Sequence, residues 1–98
     1  MNAISVQIVP AQPGFFTVID FNDERKVEIG EPIIAWRVET YPVDKSDDVF
    51  SVCIALTVEG DPVSNCIGVQ NPDTTVTVFE ESTYRSLADL QATRYPNK

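Results

Sequence analysis

Cys53 and Cys66 are the only thiols in the chain, and no histidine accompanies them. A nucleophilic cysteine needs a neighbouring base or a positive environment to reach the thiolate, and neither residue is flanked by Lys or Arg. A structural zinc site needs further soft or nitrogen ligands, which the chain does not supply. A disulfide is disfavoured by register. If GDPV forms the tip of a hairpin, Cys66 falls opposite Thr57 and Cys53 opposite Gln70, an offset of about 14 Å at strand spacing. A disulfide requires Cα atoms about 4.4 to 6.8 Å apart. The expectation is two free thiols used as small packing groups.

Carboxylates offer the other chemistry. Asp23/Glu24, Asp47/Asp48 and Glu80/Glu81 are adjacent pairs, and acid–base work would require one member buried enough to shift its titration. Their polar loop settings predict exposure instead. The stretch DFNDERKVEIGE places Asp20, Asn22, Glu24, Glu28 and Glu31 at the first, third, fifth, ninth and twelfth positions of a calcium-type loop. Arg25, however, occupies the position where such a loop needs glycine for its sharp turn. With four glycines in the chain and no Gly-x-Ser-x-Gly turn, neither a phosphate cradle nor a serine nucleophile elbow is encoded. No catalytic, metal or cofactor residue is therefore assigned.

Recognition chemistry is better represented. In IIAWRVETY, strand alternation puts Ile34, Trp36 and Val38 on one face, and Arg37, Glu39 and Tyr41 on the other. Arg and Tyr are enriched among interface residues that carry binding energy. Phe16 joins these candidates because Phe15 and Phe16 must point to opposite faces of a strand, leaving one ring for a partner unless both faces are covered.

These residues need strands to hold them. ISVQIV alternates Ile4, Val6 and Ile8 against Ser5 and Gln7; Pro10 and Pro13-Gly14 punctuate it before FFTVIDF resumes as a second strand. Asn22 to Lys26 is a polar turn leading to a short strand at 26–29, and IIAWRVETY is the third main strand. SVCIALTVE follows, with Val52, Ile54, Leu56 and Val58 on its oily face and Ser51, Cys53, Ala55 and Thr57 opposite. GDPVSN is a turn by composition, and CIGVQ and TTVTVFE are a last short pair. From residue 80 the period changes to that of a helix, with acids at its start, Ser82 or Thr83 as N-cap, and Tyr84, Leu87 and Leu90 directed at the sheet. The fold class is mainly β: a small antiparallel barrel or two-layer sandwich of about six strands, with one C-terminal helix over about residues 82–93.

Composition sets the outer limits. The 98 residues suit a single domain spanning 1–98, and the 43% apolar fraction is that of a folded chain. Fifteen acids against seven bases give a formal charge of −8, which disfavours direct binding to nucleic-acid phosphates. MNAISVQIVP has neither the basic start nor the apolar run of a secretory leader, and no later run has membrane length, so the expected compartment is cytoplasmic. The leading expectation is a non-enzymatic acidic β domain that acts through protein contacts, with itself or another chain, as a homo-oligomer through the edge of ISVQIV if self-paired. An acidic nucleic-acid mimic that blocks a DNA- or RNA-binding protein is the alternative. A barrel with a small-ligand pocket near Arg37, Glu39 and Tyr41 is the third. In composition only, the chain resembles small accessory proteins of bacterial and phage genomes; this resemblance covers no motif and transfers no residue.

Overall fold

The computed structural model describes residues 3–45 and 47–97. Eight strands and one helix follow in order: β1 (Ser5–Pro10), β2 (Phe16–Phe21), β3 (Lys26–Pro32), β4 (Ala35–Pro42), β5 (Val49–Leu56), β6 (Cys66–Gln70), β7 (Val76–Val78), β8 (Thr83–Tyr84) and α1 (Leu87–Arg94). They form two open antiparallel sheets: a three-stranded sheet ordered β1-β4-β5 and a five-stranded sheet ordered β3-β2-β6-β7-β8. The expected sandwich-like arrangement is present and the closed barrel is not. The molecule is elongated, 47 × 29 × 24 Å, because the three-stranded sheet overlaps its neighbour only at one end.

That overlap holds a small core. Ile33, Ala55 and Val69 are buried there, and Phe15, Ala11 and Trp36 close around them. Phe15 meets Trp36 edge to face, with centroids 5.3 Å apart and planes at 85°, a geometry that suits the ring quadrupoles. The larger core lies on the opposite face of the five-stranded sheet. Alternate residues Val18, Val27, Val76 and Val78 point to α1, whose Leu90 fills the layer, with Leu87, Tyr84 and Tyr95 around it.

The helix begins later than the sequence predicts. Thr83 and Tyr84 pair with β7 as β8, Val76 opposite Tyr84, because the open edge of β7 offers these residues a ladder. The cap is consequently Ser86, whose side chain accepts the Asp89 N–H at 3.1 Å, rather than Ser82 or Thr83. Asp89 in the first turn and Arg94 in the last complement the helix dipole.

Two devices tie α1 down. Gln91 accepts the Val27 N–H at 2.8 Å and donates to the Arg25 carbonyl at 3.0 Å, so its amide stands in for a strand beside β3. Asp20, 8% exposed, receives Arg94 Nε at 2.6 Å and the Tyr95 hydroxyl. Asp20, which heads the stretch compared with a calcium-type loop, is the buried half of an ion pair with Arg94.

The expected hairpin between the cysteine strands is absent. Thr57 and Gly60 form a tight bridge, but β5 pairs with β4 and β6 with β2, so the cysteines lie in different sheets. Both thiols are free; Cys66 is half-buried, whereas Cys53 is exposed and does not serve as core packing.

Candidate interaction face

The period-two rule puts Arg37, Glu39 and Tyr41 on the same side of β4, and the ladder supplies their neighbours. Arg37 lies between Ile8 of β1 and Ile54 of β5; Glu39 lies between Val6 and Val52; Tyr41 pairs with Phe50. The outer face of this sheet is therefore a polar line flanked by two apolar stripes. Ile4, Val6 and Ile8 form one stripe, and Phe50, Val52 and Ile54 the other.

The polar line is closed on itself. Arg37 Nε donates to Glu39 Oε2 at 3.0 Å, and its Nη1 donates to Asp61 Oδ1 at 2.7 Å. The Tyr41 hydroxyl donates to Glu39 Oε1 at 2.7 Å, while its ring stacks on Phe50 at 5.4 Å. The hydrogen bond and charge of Asp61, then those of Glu39, hold the Arg37 guanidinium above its ordinary value against the opposing effect of burial. The hydrogen bond to Glu39, reinforced by burial, raises the Tyr41 phenol. Both shifts favour the protonated forms, the ones that donate these hydrogen bonds.

The apolar stripes reverse the sequence expectation. On β5 the oily side was expected to face the core; instead Ala55 and Thr57 are buried, while Phe50, Val52 and Val58 are exposed. Val6 is 57% and Ile8 59% exposed. The reason is architectural: the second layer covers the end of the sheet carrying Trp36 and Ala55, and on the other side the turn after β5 reaches Arg37 through Asp61 while Val6, Ile8 and Val52 stay exposed.

Phe16 does not join this face. It lies in β2, opposite Pro32 and Gln70 in the five-stranded sheet. Asp61 is the partner that sequence reading missed. It lies in the turn after β5, and only the fold brings its carboxylate to Arg37. Val52 is legible as part of the oily face of SVCIALTVE, whereas Phe50 lies just before that stretch.

A second concavity runs between the sheets. It is an open trough of about 550 Å³, floored by Ile19, Ile29 and Val63, with Glu31, Glu59 and Asp61 among its lining residues. A shallower depression of about 470 Å³ shares Phe21 and Asn65 with it and includes Asp23 and Glu24. Gly30 keeps the floor open, since a Cβ there would stand 2.5 Å from Thr17 Oγ1. Arg37, Glu39 and Tyr41 do not line this trough, and the strands among the described residues form two open sheets rather than a closed barrel.

No helix among the described residues is long and apolar enough to cross a membrane. Comparison with protein-family models, curated proteins and solved structures finds no match.

Proposed function

We propose that this protein is a non-enzymatic contact module that works in a reducing, cytoplasmic setting and docks another protein surface on the outer face of its three-stranded sheet. One observation carries this reading: the apolar sides of β1 and β5 face away from the core. Apolar alternation that fails to predict burial identifies surface maintained for something other than folding. Arg37 and Tyr41, held between the stripes, supply the oriented polar contacts that such a surface uses for specificity.

The test separates surface from core. Val6→Lys and Val52→Lys should leave the unfolding free energy in urea within about 0.5 kcal/mol of wild type, as exposed positions do, while weakening association with the partner or with itself. A loss of several kcal/mol would mean these side chains are packed, and would sink the proposal.

The trough favours a second reading. Glu31 and Glu59 line the trough, and Asp23 and Glu24 line the depression that borders it at Phe21 and Asn65, a grouping that suits an acidic decoy of nucleic acid. Under this reading, a basic nucleic-acid-binding protein is captured from nuclease-treated lysate at low salt and released at high salt. Capture that persists at high salt counts against it.

A further inference from the structure

We propose that the partner on this sheet is a second copy of the chain, joined antiparallel along β1 about a two-fold axis through Gln7. This inference rests on the outward-facing sheet argued above and adds its occupant and register.

The free strand edges differ in how they are protected. On β3, Gln91 takes the Val27 N–H, and Lys26, Glu28, Glu31 and Pro32 supply charges and a missing donor. The edge strand β8 is two residues long. The features of β3 and β8 are devices that discourage strand addition. The edge of β5 (VFSVCIAL) is uncharged like that of β1, but its last three residues are less exposed, and Pro62, Phe79 and Glu80 line a hollow with Val52, Cys53 and Ile54 beside it. The β1 sequence SVQIVP has no charge, and all six of its residues are exposed.

The backbone of β1 is aligned for pairing. Ala11 donates to the Ile34 carbonyl at 3.0 Å, and antiparallel alternation carries that parity to the pairs Val9–Trp36, Gln7–Val38 and Ser5–Thr40. The N–H and C=O groups of Val6 and Ile8 consequently point away from β4. Centring the axis on Gln7 places Val6 opposite Ile8 of the partner subunit and Ile8 opposite the partner's Val6. Each of these pairs can exchange both backbone bonds. Pro10, which has no N–H to offer, faces the partner's Ile4, whose own N–H is already held by Thr40 at 2.8 Å. The register thus asks nothing of the groups that cannot serve it. It also sets the apolar stripe Ile4, Val6 and Ile8 against its own copy and closes the contact at two chains.

Charge and area decide how this contact behaves. Each copy carries −8, so the copies repel at long range, yet β1 itself contributes no charge to the seam. Salt should therefore strengthen association, the opposite of its effect on a basic partner. A six-residue strand is about 20 Å long and a sheet about 10 Å thick, giving about 200 Å² of flat contact, below the ~800 Å² per partner of a standard interface. The dimer is accordingly weak, micromolar or looser, and fills at high concentration.

The experiment uses chains lacking the native thiols (Cys53→Ser, Cys66→Ala). With Gln7→Cys, the two sulfurs face each other at a non-hydrogen-bonded pair about 4.5 Å apart at Cα, within disulfide reach. With Ser5→Cys, the opposing residue is the partner's Val9, and the two sulfurs are about 14 Å apart along the ladder. Mild oxidation should cross-link the first variant rapidly and the second slowly. Sedimentation of the wild-type chain should show a monomer–dimer equilibrium that tightens with salt, and Val6→Lys should weaken it at least tenfold. A monomer at every concentration, equal cross-linking of the two variants, or association that salt weakens would overturn this pairing. If Val6→Lys also unfolds at lower urea, the outward-facing reading beneath it fails as well; if its stability is unchanged, only the choice of partner fails.

Discussion

The five-stranded sheet and the three-stranded sheet use the same apolar alternation and dispose of it in opposite ways. In the former, Val18 and Val76 are 0% exposed beneath α1; in the latter, Val6, Ile8 and Val52 stand in solvent. Alternation therefore fixes which side chains share a face, but a second layer decides whether that face is a core or a contact surface. The five-stranded sheet buries its apolar face beneath α1, and the three-stranded sheet leaves the corresponding face in solvent.

The largest test of this contrast compares two glycines. A Cβ on Gly68, inside β6, would meet the Thr77 carbonyl oxygen at 2.2 Å and Val78 Cα at 3.0 Å. Neighbouring backbone has no rotamer by which to yield, so Gly68→Ala should cost at least about 4 kcal/mol in urea denaturation or prevent folding. At Gly60, φ is +99° and nothing lies within 4 Å. Gly60→Ala should therefore cost only the backbone strain, about 1–2 kcal/mol. Equal losses would erase the distinction between the packed half and the open turn.

Next in size is the buried ion pair. Asp20→Asn leaves Arg94 with only the more distant Glu81 carboxylate, at 3.7 Å, and should cost about 2 kcal/mol by the same measurement. A change below about 1 kcal/mol would mean that α1 is held by Leu90 and Gln91 alone.

A smaller effect follows from Tyr95. Its hydrogen bond to Asp20, helped by burial and by the carboxylate charge, raises the phenol above its ordinary 10.0. A raised value in the folded state means that the associated stability is intact below pH 10.0 and is lost as pH climbs through the higher folded value. Tyr95→Phe should flatten that alkaline decline while leaving the neutral baseline close to the parent's; an unchanged alkaline slope would remove Tyr95 from the latch.

The smallest contrast concerns the thiols. Burial pushes the Cys66 thiol up, and it donates to the Gly68 carbonyl at 3.5 Å, whereas Cys53 is exposed on β5. Cys53 should react several-fold faster with a disulfide reagent at neutral pH. Faster modification of Cys66 would place the wrong strand in the core.

Much of this architecture was legible in the residues. Alternation located β1, β2, β4 and β5, and placed Arg37, Glu39 and Tyr41 on a common face, because a two-residue period is a local property. The orientation of β5 was not legible. Val52 and Ile54 are oilier than Cys53 and Ala55, and only the position of the second sheet reveals that the smaller side is covered. Asp61 was hidden for a related reason: a turn acid gains an arginine partner through tertiary return. The start of α1 was misplaced because the exposed edge of β7 competes for Thr83 and Tyr84, and a ladder outweighs their service as helix caps.

The Asp20 latch has a consequence for how the chain is made. Arg94 and Tyr95 follow Asp20 by 74 and 75 residues, so a nascent chain presents β2 with its acid uncompensated until those residues have left the ribosome. The five-stranded half can close on a neutralised carboxylate only after the helix residues arrive. A chain halted before Arg94 would carry the Asp20 carboxylate, 8% exposed in the folded protein, without the two side chains that hold it.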